Sequence, residues 1–188
     1  MRTNSAAPLR GESPAPRHVT SLAELNAASR ADFTAALGHL FEHSRWVAEE
    51  TWPKRPFRDA EHLHGELCAT MRAASPQRQL ALICAHPDLA GRLALAGKLT
   101  AESAREQAGA NLDKMNADEL AALRKSTQMY RKKFGFPFII CARLNARDAI
   151  LRALQARVKN SREAEFTTAL TEIEKIARLR LGDCLSTC

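Results

Sequence analysis

Residues 83–107 of the chain read ICAHPDLAGRLALAGKLTAESAREQ. An apolar helical pattern must end before Pro87, because a residue that precedes proline is disfavoured in the α conformation. This fixes His86 at a helix end, in an extended backbone state. A second helical pattern follows, and positions i, i+3 and i+4 share one helix face. That face carries a hydroxyl, a carboxylate and an amide, at Ser103, Glu106 and Gln107.

Around this stretch, the composition predicts an all-α protein. The chain has 188 residues, of which 45% are hydrophobic, enough for one domain with its own core. Ala, Leu, Arg, Glu and Lys dominate, and all five favour helix. We expect a compact single-domain bundle of seven or eight helices over residues 18–188. Residues 1–17 are rich in Ser, Pro and Arg and are predicted to be disordered, with a mitochondrial presequence as the alternative.

Apolar periodicity and capping residues predict most of the helices. They are expected from about Arg30 to Thr51, from Asp59 to Ala73, from Pro76 to Ala85, from Asn116 to Phe134, from Asn145 to Lys159 and from Arg162 to Gly182. One or two helical turns are expected over residues 88–99, and a further helix from Thr100. Residues 136–142, FPFIICA, form the most apolar segment. A lone strand has no partner, so an extended buried loop is predicted there.

Charge and cysteine content limit the possible functions. The net charge of +7 can favour an anionic ligand, but the basic residues between Arg124 and Lys133 lack exposed aromatic neighbours. Nucleic acid binding is therefore not predicted. The five cysteines show no metal or disulfide spacing, and Cys68, Cys84 and Cys141 are predicted to be buried free thiols. The absence of a long apolar run and of a secretion signal predicts no membrane association and a cytoplasmic location.

Each candidate site residue also has a plain structural interpretation. A histidine at a helix end is more often a capping group than a catalyst, and the group at 103–107 is more often a polar surface ridge. Their proximity favours chemistry, because a histidine near a carboxylate is a workable acid/base pair. Phosphate-loop, zinc and serine-nucleophile motifs are missing. Arg180 falls beside the apolar stripe of the last helix and requires an anionic partner.

Four motifs together resemble one enzyme family. They are AHPDLAG at 85–91, SxxEQ at 103–107, FGFPFIICAR at 134–143 and EIEKIARLRL at 172–181. Their order and spacing are similar to those of OHCU decarboxylase, the 2-oxo-4-hydroxy-4-carboxy-5-ureidoimidazoline decarboxylase of urate degradation. The likeness extends from about His18 to residue 188. It implies an all-helical, cofactor-free, homodimeric enzyme that forms (S)-allantoin and carbon dioxide.

The resemblance also implies roles for individual residues. His86 matches the family's catalytic histidine and proton donor. Glu106 matches a substrate-binding position and is the second predicted catalytic residue, which would orient or charge the His86 ring or bind the ureido group. The implied substrate-binding positions are Pro87, Ser103, Gln107 and the backbone of Phe138, Ile139, Ile140, Cys141 and Ala142. Arg180 matches the active-site arginine, with Arg143 as a second candidate. The end of the chain lacks the Ser-Lys-Leu signal of some eukaryotic members, which favours a bacterial, cytoplasmic enzyme.

The expected chemistry needs no cofactor, because the imine-type ring can delocalise the electron pair that carbon dioxide leaves behind. Two alternatives remain at this stage. One is a non-catalytic helical adaptor that uses its basic face to bind an acidic partner. The other is a related decarboxylase that acts on a different ureide.

Overall fold

The computed structural model describes residues 20–89 and 115–185, and within these ranges the fold is all-α. Its eight α-helices are α1 (Leu22–Ala27), α2 (Arg30–Leu37), α3 (Trp46–Thr51), α4 (Ala60–Ala73), α5 (Pro76–Ala85), α6 (Ala117–Phe134), α7 (Arg147–Arg157) and α8 (Arg162–Cys184). Short 3₁₀ turns follow at Trp52–Lys54 and Ala142–Leu144. The predicted fold class is confirmed. The predicted tail, most of the turns over 88–99 and the helix from Thr100 lie outside the described residues.

Side-chain caps begin the long helices where the sequence predicts them. Asp59 accepts a 2.7 Å hydrogen bond from the backbone N–H of His62 at the start of α4. Ser75 caps α5, with Pro76 at its first position. Asn116 and Glu119 form a reciprocal capping box at the start of α6. Gly135 ends α6 with a φ of 81°, a left-handed conformation that favours glycine.

The single helix predicted over 30–51 is wrong. The chain leaves the helix at Gly38 and re-enters one at Trp46, and His43 in between has a φ of 46°. The predicted apolar residues are nevertheless buried, namely Phe33, Leu37, Leu40 and Phe41. The interruption has a tertiary partner, because Arg180 of α8 donates to the carbonyl oxygens of His39 and Leu40. A long-range contact of this kind leaves no local sequence signal.

Three other local features differ from what the sequence predicted. Asn145 does not cap α7; Ala146 holds that position, and the Asn145 amide instead donates to the Cys141 carbonyl oxygen at 2.9 Å. The helix α1 was not predicted, although Ser21 and Glu24 form a capping box in the S-x-x-E pattern. Cys84 is exposed, and Cys68 is half-buried, so only Cys141 of the three predicted thiols is fully buried.

The helix α8 forms the axis of the core and packs against α4 and α5. Its apolar residues Ile173, Ala177 and Leu181 are buried. Residues 136–141 form the predicted extended loop, here called the pocket loop, and Phe136, Phe138, Ile139 and Cys141 within it are buried. The backbone N–H of Thr20 bonds the carbonyl of Cys184 at 3.0 Å, so the first and last described segments meet. Among residues 20–89 and 115–185, no helix has the length and apolar character needed to cross a membrane.

Candidate active site

His86 ends α5 and caps it with its own ring. Its backbone is extended, with φ −69° and ψ 129°, as the following proline requires. The backbone N–H of His86 donates to the carbonyl oxygen of Ile83, and the ring Nδ1 lies 2.9 Å from the carbonyl oxygen of Leu82. The imidazole thereby satisfies a carbonyl at the end of the helix. Only 3% of the residue is exposed, so the ring is held in place by both backbone and packing.

The hydrogen bond to Leu82 determines which nitrogen can perform chemistry. A carbonyl oxygen only accepts, so Nδ1 must carry the hydrogen. Nε2 is therefore the nitrogen that exchanges a proton with a substrate. It donates when the ring is an imidazolium and accepts when the ring is neutral. Capping and catalysis, which the sequence presented as alternatives, are compatible in this geometry.

An open cleft lies against the His86 ring. Its described lining residues are His86, Pro87, Leu89, Phe138, Ile139, Ile140 and Ile176. The structure thus joins the end of α5, the pocket loop and the apolar face of α8. Five of the predicted site residues lie in this lining. Leu89 and Ile176 were not predicted as site residues, although Ile176 belongs to the apolar stripe of α8.

The backbone of Cys141 faces into the protein. Its N–H donates to the Glu172 carboxylate at 2.8 Å, and its carbonyl accepts from the Asn145 side chain. Ala142 is buried next to it and starts a 3₁₀ turn. The prediction that Cys141 and Ala142 contact a substrate stays a prediction. The structure assigns the described cleft wall to the three preceding residues, Phe138, Ile139 and Ile140.

A buried polar network supports the other end of the pocket loop. Arg157 donates to the Ile139 carbonyl oxygen at 2.8 Å, and its guanidinium lies 4.5 Å from the centre of the Phe138 ring. Glu165, which is fully buried, pairs with Arg157 at 2.9 Å and accepts from the hydroxyl of Tyr130. Sequence reasoning missed this network, because a glutamate on an amphipathic helix is normally assigned to the solvent face.

Both candidate arginines have carboxylate partners. Arg180 is buried and lies 3.2 Å from Glu42, which confirms the predicted need for an anion. Its position is one helical turn beyond Ile176 of the cleft. Arg143 bonds Asp183 through both terminal nitrogens, at 2.6 and 3.2 Å. Their roles in substrate binding stay predictions, as do those of Ser103, Glu106 and Gln107, which lie outside the described residues.

The described cleft places a single imidazole, a group suited to proton transfer, beside apolar side chains. Residues 20–89 and 115–185 bring together no three side chains of the types that hold a metal ion. One imidazole faces apolar walls, and an electrostatic interaction strengthens where water is excluded. Such a site can hold a small polar molecule beside a single acid/base group.

The fold and site define a helical protein with a buried histidine beside an apolar cleft. The OHCU decarboxylase family description matches residues 26–182 of this chain, and the chain belongs to that family. A 2-oxo-4-hydroxy-4-carboxy-5-ureidoimidazoline decarboxylase of Halalkalicoccus jeotgali is 39% identical over 160 residues, covering 85% of this chain and 89% of the relative. The mouse protein of the same name is 37% identical over 164 residues, covering 87% and 92%.

Two solved structures share the fold. The crystal structure of an (S)-allantoin synthase superposes with a TM-score of 0.70 at 28% identity, covering 89% of this chain and 54% of that one. A structure of OHCU decarboxylase in the presence of (S)-allantoin gives a TM-score of 0.65 at 24% identity. The match covers 85% of this chain and all of the other chain, and at this identity it supports the fold alone.

Proposed function

We propose that this carboxy-lyase converts 2-oxo-4-hydroxy-4-carboxy-5-ureidoimidazoline to (S)-allantoin and carbon dioxide, with His86 as the proton donor. The observation that carries the histidine assignment is its geometry. The ring is buried, is fixed through Nδ1 by the Leu82 carbonyl and lines the cleft. A fixed donor is what a stereospecific protonation requires, because the proton must reach one face of the ring carbon.

The reaction balances with one proton. The bond between the ring carbon and the carboxylate breaks, carbon dioxide leaves, and the electron pair is delocalised into the imine-type ring. The imidazolium of His86 then delivers its Nε2 proton to the neighbouring ring carbon, which bears the ureido group, and the His86 ring becomes neutral. The hydroxyl on the decarboxylated carbon becomes the carbonyl group of allantoin, and its proton passes to the ring nitrogen of the former imine. The apolar wall of Phe138, Ile139 and Ile140 favours the loss of carbon dioxide, because it limits the hydration of the substrate carboxylate. A poorly hydrated carboxylate loses less solvation when its charge moves into the ring.

The remaining roles follow from the family resemblance. Glu106 would orient the His86 ring or bind the ureido group, and Ser103 and Gln107 would hold the heterocycle. Arg180 or Arg143 would hold an anionic oxygen of the substrate. Arg180 would then bind both the substrate and Glu42, or Arg143 both the substrate and Asp183. A homodimeric state and a cytoplasmic location are part of the same proposal.

The test uses freshly formed product of urate oxidase and hydroxyisourate hydrolase as substrate, with optical rotation of the allantoin as the readout. The wild-type chain should give (S)-allantoin, and His86→Asn should give the slow, racemic product of uncatalysed protonation. The matched control is His64→Asn, because His64 is a half-buried histidine whose ring, like that of His86, lies within hydrogen-bond distance of a backbone carbonyl, that of Glu174. Normal stereospecific turnover by a folded His86→Asn variant would refute the assignment.

A further inference from the structure

The helix α8 carries two buried carboxylates on the side that faces the pocket loop. Glu165 is fully buried, and Glu172 is 8% exposed. Seven residues are about two helical turns, so the two side chains lie along one face of the helix. Buried carboxylates are rare unless they are paired, and both of these reach the pocket loop: Glu165 through Arg157, Glu172 directly.

Glu172 makes the more direct of these contacts. Its Oε2 accepts from the buried Cys141 N–H at 2.8 Å, while Oε1 pairs with Lys175 at 2.6 Å. Without Glu172, the buried N–H of Cys141 would lose this acceptor, and a buried donor that is left unsatisfied costs free energy.

The same helix also supplies part of the cleft wall. Ile176 lies one turn beyond Glu172 and lines the cleft with Ile139 and Ile140, the residues just before Cys141. Helix α8 therefore both forms one wall and fixes the distance to the opposite one. A shift of the loop relative to Ile176 changes the width of the cleft beside His86.

We propose that Glu172 is a positioning residue that sets the cleft width by holding the Cys141 N–H against α8. The proposal rests on the proposed function for its kinetic consequence, but its structural consequence is independent of any activity. Glu172 acts through the backbone of Cys141 and touches no substrate. What matters is the position of its acceptor oxygen, not its negative charge.

Two substitutions separate position from charge. Glu172→Asp keeps the charge but withdraws the acceptor by one methylene, whereas Glu172→Gln keeps an acceptor oxygen in place and removes the charge. The matched control is Glu174→Asp on the opposite side of α8, where Glu174 pairs with Arg72 of α4 at 2.6 Å. Every variant is made in the full chain, and its fold is checked by circular dichroism and thermal unfolding.

The first measurement is amide hydrogen exchange at Cys141, which does not require activity. Glu172→Asp should exchange this amide about tenfold or more faster than wild type, since the hydrogen bond weakens. Glu172→Gln and Glu174→Asp should stay near wild type. The second measurement is turnover, where Glu172→Asp should lower kcat/KM by up to about 100-fold, because a displacement of about 1 Å can cost that much.

Each outcome decides the proposal. Unchanged exchange at Cys141 in Glu172→Asp would refute the contact, and faster exchange with unchanged kcat/KM would refute its role in positioning. A loss in Glu172→Gln as large as that in Glu172→Asp would refute the claim that acceptor position alone matters, because the Gln variant keeps an acceptor oxygen in place. A wild-type chain without decarboxylase activity would refute the proposed function, while the exchange data would still test the hold of Glu172 on the loop.

Discussion

The guanidinium of Arg157 lies 2.9 Å from the carboxylate of Glu165, and the glutamate side chain has no solvent exposure. Asn160 and Tyr130 also donate to this carboxylate, so both of its oxygens are engaged. Burying a charge is costly unless such partners compensate for the lost hydration. The pair therefore stabilises the fold only as part of a complete group, which also includes Asn160, Tyr130 and the Ile139 carbonyl.

Glu165→Ala should destabilise the protein by about 3–5 kcal/mol, because it leaves the charge of Arg157 in a poorly solvated site. The free energy of unfolding from denaturant titration measures this. The control is Glu50→Ala, which removes an exposed ion pair with Arg78 and should cost no more than about 1 kcal/mol. Equal effects of the two substitutions would contradict the assigned importance of burial.

Tyr130 should titrate at unusually high pH. Burial raises the pKa of its hydroxyl above the ordinary value of 10.0, and the hydrogen bond to Glu165 raises it further. Tyr130 is the one tyrosine in the sequence, so the phenolate absorbance reports on it alone. Ionisation in the folded protein should begin well above pH 10, whereas the denatured chain should titrate near the ordinary value.

The same shift determines how stability depends on pH. The folded-state pKa lies above the unfolded one, so the contribution is complete below about pH 10 and decreases as the pH rises further. Tyr130→Phe should be less stable at neutral pH, since Glu165 loses a donor, but should show a weaker fall in stability at high pH. Parallel stability curves for the two proteins would contradict this account.

The cysteines should differ strongly in reactivity. Burial raises the pKa of the Cys68 thiol to about 12, so it forms little thiolate at mildly alkaline pH, whereas Cys84 is exposed. Iodoacetamide followed by peptide mass spectrometry should find Cys84 modified well before Cys68 and the buried Cys141. Equal rates in the native protein would contradict the assigned burial, and equal rates in urea provide the control.

The neutral ring of His86 should be the Nδ1–H tautomer. This follows from the 2.9 Å contact between Nδ1 and the Leu82 carbonyl, which can only accept. Nitrogen-15 NMR of histidine-labelled protein distinguishes the two tautomers, and His86→Asn assigns the signal. A neutral ring that carries its hydrogen on Nε2 would contradict the mechanism, because proton exchange with a substrate would then begin from the wrong nitrogen.

Local chemistry made part of this structure predictable. Asp59, Ser75-Pro76, Asn116 and Gly135 each act within one helical turn, and the sequence alone places them correctly. His86 belongs to the same class, because Pro87 fixes its backbone whatever the tertiary fold. The helix ends and the extended state of His86 were therefore predicted from neighbouring residues.

Long-range pairing explains what sequence reasoning missed. Glu165 and Glu172 read as solvent-facing residues of an amphipathic helix until the loop and Arg157 are brought against them. Arg180 was correctly expected to need an anion, but nothing in the sequence identifies Glu42, which lies 138 positions away. Asn145 is a residue type that often caps helices, but its side-chain amide instead donates to the Cys141 carbonyl oxygen.

The backbone N–H of Thr20 donates to the carbonyl oxygen of Cys184, and this bond joins the first and last described segments. Entry to and exit from the fold therefore lie side by side, on a face formed by the far end of α8. A domain with adjacent ends can be inserted into a longer polypeptide or circularly permuted without pulling its helices apart.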